Sequence, residues 1–271
     1  MNRGLLAKAW RESWLLTLLF GLGLALVEGL LSYAIPRFQE QLSALWSRLT
    51  FIQSIMQALV GTERAGPLGP EMIGAIVWVH PAVLALVWGH AITFCTRVPV
   101  GEIDRGTIDV LLSLPVSRWQ LYGTETVVWL ASGIAVVLFG AMGTVGGRLT
   151  LAGTMPIEIP KLAILTFNLF ALYLAVGGLA WCASASGDRR GRVIAVVFAF
   201  LIGSLLLNYL ANFWRLAEHL SFLGVLHYYR PIPILRDGVW PMRDIAVLLA
   251  SGTALWGLGG MIFSRRDLRT V

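Results

Sequence analysis

The stretch GEIDRGTIDVLLSLPVSRWQL, residues 101–121, interrupts a chain that is strongly apolar on both sides of it. Its charged residues are Glu102, Asp104, Arg105, Asp109 and Arg118. It also contains two glycines, a proline and a short aliphatic run. Such a composition is typical of a segment in water or at a membrane surface, so the stretch marks a connection between two buried apolar segments.

The composition of the whole chain indicates a membrane protein. Of its 271 residues, 57% are hydrophobic and only 13% are charged, whereas soluble domains carry about 25% charged residues. The mean hydropathy is +0.74. Several apolar runs reach about 20 residues, which is enough for a helix to cross a hydrocarbon core of about 30 Å. We therefore predict an all-α polytopic membrane protein.

Apolar length and helix-breaking residues predict six membrane-spanning helices. They lie near residues 14–35, 73–96, 121–146, 161–183, 193–210 and 244–263. The whole chain, 1–271, is predicted to form a single transmembrane domain. A loop over 97–120 joins the second and third spans, and larger segments, 36–72 and 211–243, follow the first and fifth. Pro81 predicts a kink within the second span.

The distribution of basic residues predicts that both chain ends face the cytoplasm. Twelve of the 21 basic residues fall in short segments that six spans place on one side, as the positive-inside rule requires. These residues are Arg3, Lys8, Arg11, Arg97, Arg105, Arg118, Arg189, Arg190, Arg192, Arg265, Arg266 and Arg269. The net charge of +6 is thereby explained by anionic lipid, and no nucleic-acid partner is expected. Residues 37–60 are predicted to form an amphipathic helix on the outer surface.

With this orientation the stretch at 101–121 is cytoplasmic, and it has the pattern of a short amphipathic helix. On a helical projection, polar and apolar side chains of residues 102–114 separate onto two faces. The polar face comprises Glu102, Arg105, Asp109 and Ser113, and the apolar face comprises Ile103, Val110, Leu111 and Leu114. The helix either rests on lipid headgroups or is a docking element that a cytosolic partner grips.

The ends of this helix have recognisable signals. Gly106 weakens a helix through its middle, so the ordered part is alternatively predicted to begin at Thr107 as an N-cap. Pro115 ends it. Ser117 followed by Gln120 has the spacing of a capping box, which predicts the start of the third span.

Three stretches resemble ABC transporter permeases of the ABC-2 type. The loop GEIDRGTIDVLLSLPVSRWQLYG (101–123) resembles the cytoplasmic loop of that family, with an acidic residue, Gly-Thr, an apolar run and Pro-Val-Ser-Arg. The ending GLGGMIFSRRDL (257–268) resembles the last span and tail of that family. The basic, amphipathic N-terminal helix NRGLLAKAWRESW (2–14) and the six spans agree with it. The nearest likeness is to permeases of nitrous-oxide-reductase maturation and of sodium or drug efflux.

The resemblance implies that the loop helix is a coupling helix seated in a groove of an ATP-binding subunit. The positions that match the family pattern are Glu102, Gly106, Thr107, Leu111, Leu112, Pro115, Ser117 and Arg118. Arg105 and Asp109 are added from the polar face. The turn SASGDRRGR (184–192) is a candidate second cytoplasmic contact through Asp188, Arg189 and Arg190. Alternatively, this turn only anchors the orientation.

The resemblance also implies partners and a location. The chain has two lysines, Lys8 and Lys161, and neither stands in a Walker A sequence. No catalytic residue and no cofactor is therefore expected in this chain, and ATP and Mg are expected on a separate ATPase subunit. A second permease subunit, identical or related, and membrane lipid complete the assembly, in the plasma membrane of a prokaryote.

A few polar residues within apolar segments are further candidates. Glu28, in the first span, either lines a substrate path or lies neutral at a helix interface. Glu125 is predicted to be structural. His80 and His90 lack the spacing of a zinc protease helix, so no metal site is predicted. His80 is expected to bond a carbonyl freed by the adjacent proline. The glycines of GAMGTVGG (140–147) either permit close helix packing or end the span.

The aromatic outer stretch at 208–233 is predicted to contain short re-entrant helices that close the outer end. His227, Tyr228 and Tyr229 are the candidate gate residues, and an interfacial aromatic belt is the alternative. The function predicted overall is the permease subunit of an ATP-driven exporter. The alternatives are a maturation or scaffold subunit, or a secondary transporter that needs no ATPase. The cargo is not predicted.

Overall fold

A computed structural model describes residues 3–37, 70–150, 158–211 and 213–267. These residues form helices and connecting turns without any strand. The α-helices are α1 (Arg3–Arg37), α2 (Pro70–Val79), α3 (Pro81–Cys95), α4 (Val100–Asp104), α5 (Ile108–Leu112), α6 (Arg118–Leu149), α7 (Ile159–Ser186), α8 (Arg190–Leu210), α9 (Arg215–Leu220), α10 (Pro231–Asp237) and α11 (Met242–Arg265). The amphipathic helix predicted over 37–60 lies outside the described residues, apart from Arg37 at the end of α1.

Among the residues that the structure describes, six helices are long and apolar enough to cross a membrane, which is the predicted number. They are α1, the α2–α3 pair, α6, α7, α8 and α11. The basic N-terminal helix is continuous with the first span, because α1 runs without a break from Arg3. Each of these helices satisfies its own backbone hydrogen bonds, which is what a lipid environment demands.

The second span is broken at His80, as the proline after it predicts. Pro81 occupies the first turn of α3, where its missing N–H has no helical partner to lose. His80 is the N-cap, and its Nδ1 accepts a hydrogen bond of 3.2 Å from the backbone N–H of Ala82. The expectation that His80 bonds a freed carbonyl is therefore wrong: the ring satisfies a free donor at the start of α3 instead.

Two helix pairs pack with their backbones in close contact. Along the parallel seam of α1 and α6, a Cβ added at Gly143 would lie 2.1 Å from the carbonyl oxygen of Ala25. Along the seam of α7 and α11, a Cβ at Gly178 would lie 2.2 Å from the carbonyl oxygen of Gly252. Small residues allow this approach between membrane helices, so Gly140, Gly143 and Gly147 have the packing role that was one of the two roles predicted for the 140–147 glycines.

The centre of the bundle is α7, which packs against α11, α3, α6 and α8. Its buried face includes Leu169, Tyr173 and Trp181. The helix α8 lies at the periphery, with most of its side chains exposed, Phe198 and Leu206 among them. An exposed apolar helix of this kind is explained by lipid or by another membrane protein against its outer face.

Both ends of the described chain lie at the same end of the bundle as the 97–120 loop. Lys8, near the start of α1, lies 3.6 Å from the carboxylate of Glu102 in that loop. Arg266, just after α11, pairs with Asp188 in the turn between α7 and α8. Six spans place both chain ends on one side of a membrane, and this arrangement agrees with that. Which side it is stays a prediction.

Candidate functional site

The 97–120 loop, which we call the coupling loop after the role predicted for it, contains two short helices instead of one amphipathic helix over 102–114. The helices α4 and α5 are separated by Gly106, whose φ of 69° lies in the left-handed region that favours glycine. The continuous helix was therefore wrong, and the alternative that begins after Thr107 and ends before Pro115 is confirmed. Thr107 occupies the N-cap position of α5 without a capping hydrogen bond from its side chain.

Glu102 is the centre of the contacts within the coupling loop. Its buried carboxylate accepts a hydrogen bond of 2.9 Å from Arg105 and another from the hydroxyl of Thr107. Lys8 of α1 approaches the same carboxylate. Burial alone would raise the pKa of Glu102, but the Thr107 hydrogen bond and the charges of Lys8 and Arg105 outweigh it, so its pKa lies below the ordinary value.

Beside the coupling loop lies an ionic triad of Arg97, Glu12 and Glu125 that the sequence analysis missed; Arg97 and Glu125 are buried and Glu12 is exposed. Arg97 donates to Glu12 of α1 at 2.7 Å and to Glu125 of α6. It also donates to the carbonyl oxygen of Ala9 at 3.3 Å. Arg97 is 8% exposed and Glu125 is 3% exposed. The structural role predicted for Glu125 is therefore to join α6 to Arg97 at the start of the loop. Through Arg97, it also joins α6 to α1.

A cleft of about 660 Å³ opens between α1, the end of α3 and the coupling loop. Two of the triad residues, Arg97 and Glu12, line it. The other lining residues include Lys8, Glu102, Arg105, Val110, Leu111 and Arg190. Two ion pairs among these residues have helical spacing that is visible in the sequence, Lys8–Glu12 at four residues and Glu102–Arg105 at three. The other charges come from positions far apart in the chain.

The apolar residues of α5 divide into a buried and an exposed set. Ile108 and Leu111 are buried within this chain, whereas Val110 is 69% exposed and Leu114 just after the helix is 46% exposed. Leu112 is half-buried and Asp109 is exposed. The loop therefore presents Val110, Leu114 and Asp109 outward, while Leu111 fastens it to its own bundle.

The start of α6 matches the predicted capping box. The Ser117 hydroxyl accepts from the backbone N–H of Gln120 at 3.1 Å, and the Gln120 side chain accepts from the Ser117 N–H at 2.9 Å. Arg118 reaches across to the end of α11, where it donates to the carbonyl oxygens of Phe263, at 3.1 Å, and Arg266. This motif position therefore joins the loop to the last span.

The 184–192 turn contacts the coupling loop directly. Arg190 donates its backbone N–H to the carboxylate of Asp104 at 3.3 Å, and its guanidinium to the carbonyl oxygen of Thr93 at 3.0 Å. Asp188 pairs with Arg266, and Arg189 is exposed. The two segments that the sequence predicts to be cytoplasmic thus adjoin each other.

The outer stretch contains the short helices α9 and α10 with two 3₁₀ turns, Ser221–Leu223 and Val225–Tyr228, between them. Tyr229 is buried and donates to the carbonyl oxygen of Trp78 in α2 at 3.1 Å. Tyr228 donates to Phe222 within the stretch. Burial and the charge of Arg230 lower the pKa of His227. Their role as a gate, and re-entry into the membrane, stay predictions.

Glu28 lies between α1 and α6 and is 0% exposed. It is not brought near the coupling loop, and its role in a substrate path stays a prediction. His90, also buried, contacts the hydroxyls of Tyr173 at 3.1 Å and Thr17 at 3.4 Å. Within the described ranges, no three His, Cys, Asp or Glu side chains are grouped as a metal site would require.

The fold and the loop contacts together indicate a multi-pass helical membrane protein. Its connecting segments at one end of the bundle contact one another. The chain is similar to a multidrug efflux system permease protein of Mycobacterium tuberculosis, with 32% identity over 151 residues. Those residues are 54% of this chain and 24% of the relative, so the match spans about a quarter of the relative's length. No family model matches the chain.

Proposed function

We propose that this chain is the permease subunit of an ATP-driven ABC exporter of the ABC-2 type. The six membrane-length helices and the similarity to an efflux permease support a transport role. The loop motif at 101–123 supports the ABC-2 subtype. The observation that carries the proposal is that this loop exposes apolar side chains while its polar side chains bond it to α1, α6 and α11.

The contacts of the coupling loop give it the properties of a lever. Glu102 ties it to α1 through Lys8, Arg97 ties it to α1 and α6, and Arg118 ties it to α11. A partner that displaces the loop would therefore displace three spans with it. A flexible loop resting on headgroups needs none of these bonds, because it has no force to transmit.

The proposed partner is a cytosolic ATP-binding subunit, which supplies ATP and Mg and carries out hydrolysis. Val110, Leu114 and Asp109 form the outward surface of the proposed contact. Asp188, Arg189 and Arg190 extend it. The remaining motif residues, including Leu111 and Pro115, shape and anchor the loop. A second permease subunit, identical or related, completes the translocation path in the plasma membrane of a prokaryote.

The test is co-purification of the tagged full-length chain, in detergent, with the ATPase subunit encoded beside it. A Val110→Asp/Leu114→Asp variant places charges on the exposed part of the loop without disturbing its buried side. We expect the wild type to retain the ATPase and the variant to lose it while remaining monodisperse. The control is Val239→Asp, another exposed apolar position, in the turn after α10, and it should retain the ATPase.

Three results would contradict the proposal. Retention of the ATPase by the double variant would mean that the exposed face of the loop is not the contact. Failure of the wild type to retain any ATPase, together with cargo movement driven by an ion gradient alone in liposomes, would favour the secondary transporter. Retention and ATP turnover without any cargo movement would favour the maturation subunit.

A further inference from the structure

A third buried carboxyl, that of Glu28, lies far from the coupling loop, between α1 and α6. Glu28 accepts a hydrogen bond of 2.8 Å from the hydroxyl of Thr144 on its Oε2. Its Oε1 is buried and has no hydrogen-bond partner among the described residues. The hydroxyl of Ser32, one turn further along α1, is likewise buried without a partner in that part of the chain.

The same helix pair offers an internal comparison. Glu125 on α6 is also buried, but the guanidinium of Arg97 pairs with it. Glu28 forms no ion pair with any described residue, and its contacts are a neutral hydroxyl and helix backbone. An ionised carboxylate in an apolar interior is stable only when a cation or several donors compensate it. Glu125 meets that condition and Glu28 does not.

The space around Glu28 restricts what can neutralise it. A Cβ added at Gly140 would lie 2.8 Å from the Glu28 Oε1 itself. One at Gly143 would lie 2.1 Å from the carbonyl oxygen of Ala25, and one at Gly147 would lie 2.2 Å from the carbonyl oxygen of Gly29. The helices are thus in backbone contact above and below the carboxyl. A metal ion with its ligands, or an organic cation, does not fit between them, whereas a proton needs no additional space.

Other titratable groups near the seam leave this conclusion unchanged. Tyr229, from the outer stretch, interacts electrostatically with Glu28 but donates its hydroxyl proton to Trp78. Arg148, one turn after Thr144 on α6, has its favourable interaction with Glu158. Neither residue forms an ion pair with Glu28 among the described contacts.

We propose that Glu28 is an intramembrane proton-binding site, whose carboxyl holds a proton while α1 and α6 are closed. Release breaks the O–H bond, transfers the proton to a water molecule and leaves the carboxylate with its electron pair. Because the carboxyl is fully enclosed, release requires the two helices to separate enough for water to enter. The Thr144 hydroxyl donates to Oε2 in both states. The proposal stands on this seam alone and is independent of the ABC assignment.

The test is infrared difference spectroscopy on the full-length protein in detergent at neutral pH. The spectrum of the wild type minus that of Glu28→Gln should contain the C=O stretch of a protonated carboxylic acid. Glu125→Gln is the matched control, and its difference spectrum should contain carboxylate bands instead. Thr144→Val should move the Glu28 C=O band to higher frequency, because the carbonyl loses its hydrogen bond. Carboxylate bands in the Glu28→Gln difference would overturn the proposal.

A chemical test examines the same proton independently. Dicyclohexylcarbodiimide adds the O–H of a neutral carboxylic acid across its C=N bond. The carboxyl oxygen bonds to the central carbon, the proton passes to nitrogen, and an acyl shift gives a stable N-acylurea with no leaving group. Mass spectrometry should find more adduct on Glu28 than on Glu125. Equal or greater labelling of Glu125 would contradict the proposal. The reagent reaches Glu28 only while α1 and α6 are apart, and Glu28 is the less exposed of the two carboxyls, so greater labelling of Glu28 follows from its proton and not from easier access.

Discussion

Replacement of Arg97 by methionine tests whether the ionic triad holds the coupling loop to the bundle. The variant keeps a long apolar side chain but removes the charge between Glu12 and Glu125. Removing one partner of a buried ion pair leaves an uncompensated charge and costs about 3–5 kcal/mol. At about 1.4 kcal/mol per tenfold, the folded-to-unfolded ratio should fall roughly 100- to 4,000-fold.

The exposure of the two carboxylates predicts an order of effects. The Glu125 carboxylate is enclosed, so Arg97→Met leaves it without charge compensation, whereas the Glu12 side chain is 39% exposed and stays hydrated. Glu125→Gln should cost less than Arg97→Met, because Arg97 keeps Glu12 as a partner. The double variant Arg97→Met/Glu125→Gln should recover much of the loss, since no unpaired charge then remains in the interior.

The assay is denaturant unfolding of the four proteins in one detergent, followed by tryptophan fluorescence. The control pair is Lys161–Glu158, which is more exposed and joins neighbouring turns of α7. Lys161→Met should cost at most about 1 kcal/mol, as exposed ion pairs do. The reasoning would be refuted if Arg97→Met cost no more than Lys161→Met, or if the double variant lost the sum of both single losses.

Two other predictions concern the loop and the α1–α6 seam. The pKa of Glu102 lies below its ordinary value of 4.5, so its stabilising effect is complete above that pH and is lost as pH falls through the lower folded value. The stability difference between the wild type and Glu102→Gln should therefore be constant near neutral pH and shrink only in acid; a constant difference throughout acid titration would contradict it. Gly143→Leu should destabilise the protein by about 1–3 kcal/mol or more through overpacking, whereas Gly146→Leu, where an added Cβ meets nothing, should unfold at a midpoint close to that of the wild type.

The membrane helices could be predicted from sequence because one requirement fixes them. A chain in lipid must satisfy every backbone group within the helix, so apolar length alone locates each span. The fourth span, predicted over 161–183, is the helix Ile159–Ser186, and the sixth, predicted over 244–263, is Met242–Arg265. Local signals such as the Ser117–Gln120 capping box were equally reliable, because both partners lie within one turn.

The ionic triad could not be predicted, because its three residues are distant in sequence. Arg97 lies 85 residues from Glu12 and 28 from Glu125. Each charge alone satisfied a simpler interpretation, either as part of the positive-inside bias or as a residue near water. The single helix over 102–114 failed for a different reason: its periodicity was correct, but Gly106 adopts a positive φ that ends α4 before α5 begins.

The α1–α6 seam joins the coupling loop to the proposed proton site. At one end Glu12 and Glu125 are fixed to Arg97, and at the other end Thr144 donates to Glu28. Sixteen residues of α1 separate its two glutamates, which is about 24 Å of helix. Because both helices are continuous over this distance, a displacement of Arg97 acts directly on the contact that encloses Glu28. We therefore expect Arg97→Met, which loosens the inner end of the seam, to increase carbodiimide labelling of Glu28 in the folded protein. Unchanged labelling would mean that the two ends of the seam move independently.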